Sequence, residues 1–558
     1  MTAHTHEVTN QAPPLVGHDT SADPGLRAAV EREGAGWALD EIAELGRLAG
    51  TAQAQDWGRL AERTPPVLTT HDRFGHRIDE VEYTPTYHRL METAVGHGLH
   101  AAPWADDRPG AHVARAAKFM VWNVDAGHGC PISMTYAVVP ALRANADLAA
   151  TYEPLLTSTT YDPGLRVPST KRGLIAGMSM TEKQGGSDVR ANTTQAVEQA
   201  DGSYRLTGHK WFTSAPMSDL FLALARTDAG VTCFLVPRIL PDGERNPMHL
   251  MRLKDKLGNK SNASSEIEYD GAVAWRVGEE GRGVRTIVEM VNMTRLDCTL
   301  GTASGMRAAV VQATHHARHR HAFGKALIDQ PLMRNVLADL VVESEAATTV
   351  AMRLAGATDR AVRGDSDEAS FRRLALAVTK YWVCKRGPSV AGEAMECLGG
   401  NGYVEDSGMP RIYRELPLLS IWEGSGNVAA LDALRAIGRE PESLDRFFTE
   451  VEVAAGADHR LDDALAVVKK ELSDIDEIEL RGRRLVEQLA LVLQGSLLVQ
   501  HAPSAVADAF CATRLARDWG GAFGTMPKGL DLDPILERAF VESPKVTEAR
   551  GGLPGCSR

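Results

Sequence analysis

The run Met180-Thr181-Glu182-Lys183-Gln184-Gly185-Gly186-Ser187-Asp188 stands where the chain changes character. Its double glycine lets backbone approach a ligand closely, and Thr181 and Ser187 bring hydroxyls and N–H groups beside it. A tight surface turn accounts for the same residues. Beyond it the pattern is β. Residues 203–207 alternate after the hairpin signal Asp201-Gly202, residues 220–226 and 231–236 are apolar strands joined by 227–230, and 266–269 alternate again. Before it the pattern is helical: Pro24-Gly25 opens a helix and 110–120 carries helix formers, with Pro65-Pro66 and the Pro85 region marking loops. Helical periodicity returns from Gly283, over 284–291, 306–319, 332–354 and 371–385. It first breaks at 399–402 and again at 424–426. This order is not the βαβ alternation of a doubly wound sheet. The expected division is a helical module over 1–175, a β module over 176–282, a helical bundle over 283–440 and a further helical module over 441–558.

At roughly 150 residues per domain, the 558 residues leave room for three or four such units. With 44% hydrophobic and 24% charged residues, the chain has ample material for a core, which excludes disorder and low complexity. Its longest apolar run, 489–499, is interrupted by Gln494 and Gly495 and falls short of the roughly 20 residues a membrane span needs. Residues 1–19 show no signal-peptide pattern. Seven cysteines without a C-x-x-C pair point away from disulfides and structural zinc, so the expected setting is the cytoplasm. The net charge of −12 gives no overall attraction to nucleic acid.

Four further clusters carry potential chemistry. Lys210-Trp211-Phe212-Thr213-Ser214 sets an aromatic pair beside two hydroxyls, which suits a flat heterocycle or simply a strand core. Arg320-His321-Ala322-Phe323-Gly324 follows His315, His316, Arg318 and His319. The i, i+4 histidines have metal-ligand spacing, but the arginines beside them favour phosphate, and no metal is expected. Glu396 to Tyr403 contains Gly399, Gly400 and Gly402, able to cradle phosphate or to end a helix. Ser420-Ile421-Trp422-Glu423-Gly424-Ser425-Gly426-Asn427 puts one acid in apolar surroundings, where desolvation would make it a usable base.

The series M-T-E-x-x-x-G-S-D, K-W-F-x-S, R-x-x-F-G, L-G-G-x-G-Y and E-G-S-G-N resembles the acyl-CoA dehydrogenase flavoprotein superfamily. The stretches REGAGW (32–37), TEKQGGSDV (181–189), LKDKLGNKSN (253–262), CKRG (384–387) and IWEGSGN (421–427) narrow the resemblance to the AidB-type flavoproteins of the adaptive response to DNA alkylation. It runs from about Thr5 through the ARGG tail at 549–552. The resemblance implies a mainly α fold with a central β-barrel and an extra helical C-terminal domain, assembled as a homotetramer around FAD. It implies flavin contacts from Met180, Thr181, Gly186, Ser187, Phe212, Thr213, Ser214, Ile421, Trp422, Ser425 and Asn427. Arg320, Phe323, Gln330, Gly399 and Gly400 would hold the adenine and pyrophosphate end, contributed by a neighbouring subunit. Glu423 would remove the Cα proton of an acyl thioester while the Cβ hydride passes to flavin N5.

Other functions consistent with this resemblance are a duplex-DNA-binding protein with a largely structural flavin, and a flavin enzyme acting on a small alkyl or other non-CoA substrate. The DNA reading would use Arg435, Arg514 and Arg517. It must contend with 20 acids against 14 bases over 441–558.

Overall fold

The computed structural model describes residues 5–540; Cys556 and the ARGG tail lie outside them. The first 160 residues are mostly helical. Helix α1 (Pro24–Arg32) begins on the Asp23 carboxylate, which accepts from the N–H groups of Gly25 and Leu26, with Pro24 in its first turn. Next come α2 (Leu39–Ala49) and α3 (Ala52–Arg63). A short hairpin, β1 (Val67–His71) and β2 (Arg77–Glu82), interrupts the expected all-helical module. Its tip is held by Asp72, which accepts from the backbone N–H groups of Phe74 and His76. Pro85 does not mark a loop: it sits in the first turn of α4 (Pro85–Gly96), capped by Thr84. Helices α5 (Ala111–Val121), α6 (Gly129–Leu142) and α7 (Ala146–Leu156) complete this part.

Seven strands follow: β3 (Ala176–Ser179), β4 (Gln195–Glu198), β5 (Tyr204–Ser214), β6 (Leu220–Thr227), β7 (Gly230–Pro237), β8 (Met248–Leu253) and β9 (Ser264–Val277). Pairing runs from β6 through β4, β5, β9 and β7 back to β6, with β3 alongside β6 and β8 alongside β9. The β4–β6 seam is a single residue pair, Gln195 with Arg226. Asp201-Gly202 does turn a hairpin, but within a five-residue connection rather than a two-residue one, since Glu198 pairs with Tyr204. The unbroken apolar run of β6 is explained by burial on both faces. Leu220, Leu222 and Leu224 join the core shared with α6, whereas Phe221, Ala223 and Ala225 fill the interior of the sheet.

Helix α8 (Gly283–His319) is one continuous element of 37 residues, where the sequence reading had two segments. A small hairpin, β10 (His321–Ala322) with β11 (Lys325–Ala326), leads to α9 (Pro331–Val362) and α10 (Ser366–Cys397). The short α11 (Gly400–Tyr403), then α12 (Met409–Ile421) and α13 (Gly426–Arg439), pack against α10. Helices α14 (Pro441–Glu452), α15 (His459–Ser473), α16 (Ile478–His501), α17 (Ser504–Phe510) and α18 (Asp533–Glu537) form the last part, with α14 and α16 seated on α10. The fold class is therefore mainly α around a central sheet, with added C-terminal helices. No helix among the described residues is long and apolar enough to cross a membrane. The six described cysteines are free and buried.

Candidate active site

A cavity of about 1800 Å³ opens between the β module and the helices. One wall is the loop after β3. Its anchor is Glu182, which receives hydrogen bonds from the backbone N–H and hydroxyl groups of Thr193 and Thr194. The fully buried Lys210 ammonium lies 2.9 Å from the same carboxylate and also donates to the Leu224 carbonyl. That ion pair holds Glu182 well below the usual carboxylate range, against the opposing effect of burial. Trp211 N–H donates to the Thr181 carbonyl, stapling the loop to β5. Thr181, Gly186 and Ser187 are thereby fixed on the cavity wall. A Cβ at Gly186 would lie 2.6 Å from the Thr181 hydroxyl, so any larger residue would have to displace the Thr181 side chain from the cavity wall.

Strand β5 supplies Phe212 and Ser214 to the same wall. Thr213 does not reach the cavity: its side chain is buried behind the wall, 2.5 Å from the Ser179 hydroxyl. Of the two hydroxyls in this cluster, Ser214 is the one that faces the space. Trp211 also turns away, with the Lys254 ammonium 3.3 Å above its ring.

The opposite wall is the turn between α12 and α13, with Ile421, Trp422, Glu423 and Ser425. Glu423 has φ +59° and Gly424 φ +101°. A non-glycine residue in the left-handed region costs on the order of 1–3 kcal/mol and persists only where its surroundings impose it. Here two buried cations do so. Arg295 Nε donates to the Glu423 carbonyl at 2.9 Å while its Nη1 engages Asp432. Lys380 Nζ donates to the carbonyls of Ser420 and Gly424. The Glu423 carboxylate keeps one buried oxygen, Oε2, without a hydrogen-bond partner. Burial raises its pKa, and the Thr294 hydroxyl, Arg295 and Lys380 moderate the rise. Cys130 and Cys298 lie within reach of its charge, and Met134, Ile287 and Val291 line the same cavity. Burial pushes the Cys130 thiol up to about 12, so it is neutral at ordinary pH.

The cavity also has a polar end. Glu62, Asp125 and Glu415 converge there from α3, the α5–α6 connection and α12. Asn259 donates to Glu415 through its backbone N–H and its side-chain amide, Lys260 N–H to Glu62, and the Ser261 hydroxyl to Asp125. Burial and the two neighbouring acids push Glu415 up to about 8. Sequence reasoning missed these acids, and also Arg295 and Lys380. The LGNKSN stretch was the available signal, since it meets the acids in space.

Several expected contacts lie elsewhere. Asn427 is outside the cavity and accepts from Arg483 Nε at 2.7 Å. Arg320 donates to the Asn10 carbonyl, and Gln330 to the Ala322 carbonyl. Phe323 is 97% exposed, and Gly399 and Gly400 are also on the surface. None of these five, from Arg320 to Gly400, lines this chain's own cavity. His315 and His319 spend ring nitrogens on the carbonyls of Pro13 and His315. Arg514, expected on the DNA-facing surface, is instead buried against Glu343 and Asp339, at 2.9 and 2.5 Å, and is not a surface cation. Arg517 is exposed, and Arg435 is half-exposed beside Asp432.

Family models match along most of the chain. Residues 10–163 match the N-terminal domain of the adaptive response protein AidB, 177–272 the acyl-CoA dehydrogenase middle domain and 281–438 its C-terminal domain. The putative acyl-CoA dehydrogenase AidB of Escherichia coli K12 is 47% identical, the match covering 92% of this chain and 94% of that protein. The crystal structure of Caenorhabditis elegans ACDH-11 in complex with C11-CoA is similar with a TM-score of 0.83 at 28% identity, over 92% and 94% of the two chains. At 19% identity and a TM-score of 0.61, an acyl-CoA dehydrogenase from Bacillus anthracis complexed with FAD shares the fold over 77% of each chain. With its loop after β3, its half-buried glutamate and above all these matches, the chain belongs to the acyl-CoA dehydrogenase family, on its AidB branch.

Proposed function

We propose that this protein is an FAD-dependent dehydrogenase of acyl-CoA thioesters, with Glu423 as its base. The observation that carries this reading is the unpartnered, buried carboxylate oxygen of Glu423 on a cavity wall, facing an otherwise apolar neighbourhood. The residues present fit FAD: Thr181, Ser187 and Ser214 offer hydroxyls, Phe212 and Trp422 flat rings, and Gly186 close backbone approach. When bound, FAD supplies the hydride acceptor. Glu423 takes the α-proton of the substrate onto its carboxylate. The substrate's β-hydride leaves to the acceptor, and a Cα=Cβ double bond remains. Desolvation strengthens Glu423 as a base, while Arg295 and Lys380 fix the backbone that carries it. The C11-CoA bound by the C. elegans relative supports an acyl-CoA ligand class.

Anaerobic addition of a panel of acyl-CoAs to the FAD-loaded protein, followed by the flavin absorbance, tests this. Bleaching by one member and none in Glu423→Gln is the expected result. Bleaching only by small non-CoA compounds would move the reading to a different substrate. A protein that takes up no flavin would end it.

The exposed Phe323, with Arg320, Gln330, Gly399 and Gly400 outside their own cavity, supports a homotetramer in which they serve a neighbour's flavin. A cytoplasmic location and a link to protection of DNA from alkylation are part of the same reading. Duplex-DNA binding would depend on Arg435 and Arg517, since Arg514 is spent internally.

A further inference from the structure

A proton taken by Glu423 finds no resting place beside it, yet the next turnover needs the carboxylate ionised again. Arg295 and Lys380 are cations with N–H groups already on carbonyls. Asp432 is held by Arg295 and Arg373. Burial keeps the thiols of Cys130 and Cys298 protonated, the first pushed up to about 12 and the second well above the ordinary thiol value. A polar trail nevertheless leaves from Cys130. Its thiol lies within electrostatic reach of both Glu423 and Lys256, with the Ser214 hydroxyl and the Asn262 side chain against it. Ser214 Oγ is 3.3 Å from Ser264 Oγ, which receives a hydrogen bond from Lys256 Nζ at 3.2 Å. Thiol and hydroxyls both donate and accept, as a proton hop requires.

Lys256 stands in turn in the field of Glu62 and Glu415, at the polar end of the cavity. Glu415 spends both oxygens on Asn259. Glu62 and Asp125, only 6% and 2% exposed, spend one each, on the Lys260 N–H and the Ser261 hydroxyl. Their other oxygens, Glu62 Oε1 and Asp125 Oδ1, have no hydrogen-bond partner, the nearest cation to Glu62 being Arg414 at 3.8 Å. Nδ1 of His128, Nη1 of Arg411 and Nε of Arg414 are also buried and open, on the same cavity. Open donors and acceptors sharing one buried polar end are what ordered water bridges. The exposed Arg63, Glu405 and Asp406 line the cavity too, so this end meets solvent.

We propose that Cys130, Ser214, Ser264 and Lys256 join Glu423 to Glu62 and Asp125 as a proton relay, through which the proton taken from the substrate leaves to solvent. The inference rests on the reading of Glu423 as the base and gives the polar end of the cavity a part in the same reaction. No electrons are exchanged along it. An O–H bond breaks at Glu423, each member hands on the proton it holds and takes the one behind it, and an O–H bond forms at Glu62 or Asp125. Water then carries that proton out. Burial and the charge of Asp125 raise the Glu62 pKa against the Lys260 and Ser261 N–H groups and Arg414, which makes Glu62 the better acceptor.

The FAD-loaded wild type, Glu62→Gln and Ser264→Ala are to be compared in deuterium oxide by two rates. The first is flavin bleaching by the best acyl-CoA, for which Glu423 needs only to receive one proton. The second is deuterium uptake, read by mass spectrometry, at Cα of an acyl-CoA with sulfur in place of its β-carbon. That compound yields no hydride, and Glu423 must trade its proton with solvent in every cycle. Circular dichroism checks folding, and Ser264→Ala alone decides if Glu62→Gln is not folded. The ratio of exchange to bleaching should fall about tenfold or more in both variants, and less in Glu62→Asp, which keeps a carboxylate. An unchanged ratio overturns the relay, as does an equal loss of both rates, the mark of a merely structural role. If the wild type neither bleaches nor exchanges with any acyl-CoA, the dehydrogenase reading fails separately, and a high-resolution crystal structure decides the path. Ordered water joining Glu62 Oε1 and Asp125 Oδ1 to the trail supports it; a dry cluster overturns it.

Discussion

Glu343 and Glu423 both stand among the helices, the first buried and the second half-buried, and their surroundings push them in opposite directions. Glu343, on α9, accepts from Arg386 and Arg514, which hold its carboxyl down to about 2 despite burial. Glu423 has its cations directed at the backbone around it, one oxygen unpaired and its pKa raised. The first arrangement spends every charge on joining parts of the chain: Arg514 lies just after α17 and ties the C-terminal region to α9. The second leaves a carboxylate under-satisfied in a strained turn. A buried ionic network that satisfies itself stabilises the fold; one that does not is poised for a ligand.

The largest effect expected from breaking this contrast is at Glu423. Glu423→Gln keeps size and shape but cannot accept the α-proton. Turnover of the best acyl-CoA should fall by about 10²–10⁴-fold, with flavin uptake and the bound-flavin spectrum unchanged. Wild-type turnover should rise with pH through a value above the ordinary carboxyl range, as the raised carboxyl ionises.

Arg514→Ala should act on stability instead. It leaves Asp339 without its cation and Glu343 with Arg386 alone in the interior, a loss of about 3–5 kcal/mol in denaturant unfolding. Glu343 is a depressed carboxyl, so the stability it contributes is present above its unfolded pKa and disappears as pH falls toward about 2. The wild-type melting temperature should therefore show an acid limb in that window, reduced in Glu343→Gln.

Glu415 gives a smaller effect of opposite sign. Its pKa is raised, so its contribution is complete below the ordinary value near 4.5 and is lost as pH rises through about 8. Between those limits the melting temperature of Glu415→Gln should decline less than that of the wild type. An identical slope would mean that burial and the neighbouring acids do not perturb Glu415.

The contrast also separates what could be read in the sequence from what could not. Four strands, β5, β6, β7 and β9, were legible because β6 and β7 are apolar on both faces and segments of the other two alternate, whereas β3, β4 and β8 carried no such pattern. Helix α8 was divided in two because its middle, 294–302, is rich in polar residues that are nonetheless buried. Asp297 is paired with Arg115, and the hydroxyls of Thr299 and Thr302 bond back to carbonyls four residues earlier. Those internal pairings erase the amphipathic signal. The β1–β2 hairpin escaped because β1 is only partly buried and short. At the site, Glu423, Thr181, Gly186, Ser187, Phe212 and Ser214 carried motifs and lie on the cavity. Arg295 and Lys380 meet Glu423 across 128 and 44 residues of chain, counted to the carbonyls they hold, and no local pattern announces such a pairing. Arg514 was misread for the same reason, its partner Glu343 being 171 residues away.

The smallest expected effect is at Arg517, three residues beyond Arg514 and exposed. Arg517→Ala should change stability by no more than about 0.5 kcal/mol, as surface substitutions do. That makes it, with Arg435→Ala, a clean probe of the DNA reading, which Arg514→Ala is not. If these two cations contact phosphates, each substitution should lower the slope of log affinity against log salt by about one, with little dependence on DNA sequence. Binding that is unchanged in both variants would remove the two remaining candidate contacts. No binding by the wild type even at low salt would leave the net-acidic C-terminal helices with their two structural duties, closing over α9 and α10 and presenting Arg483 to Asn427.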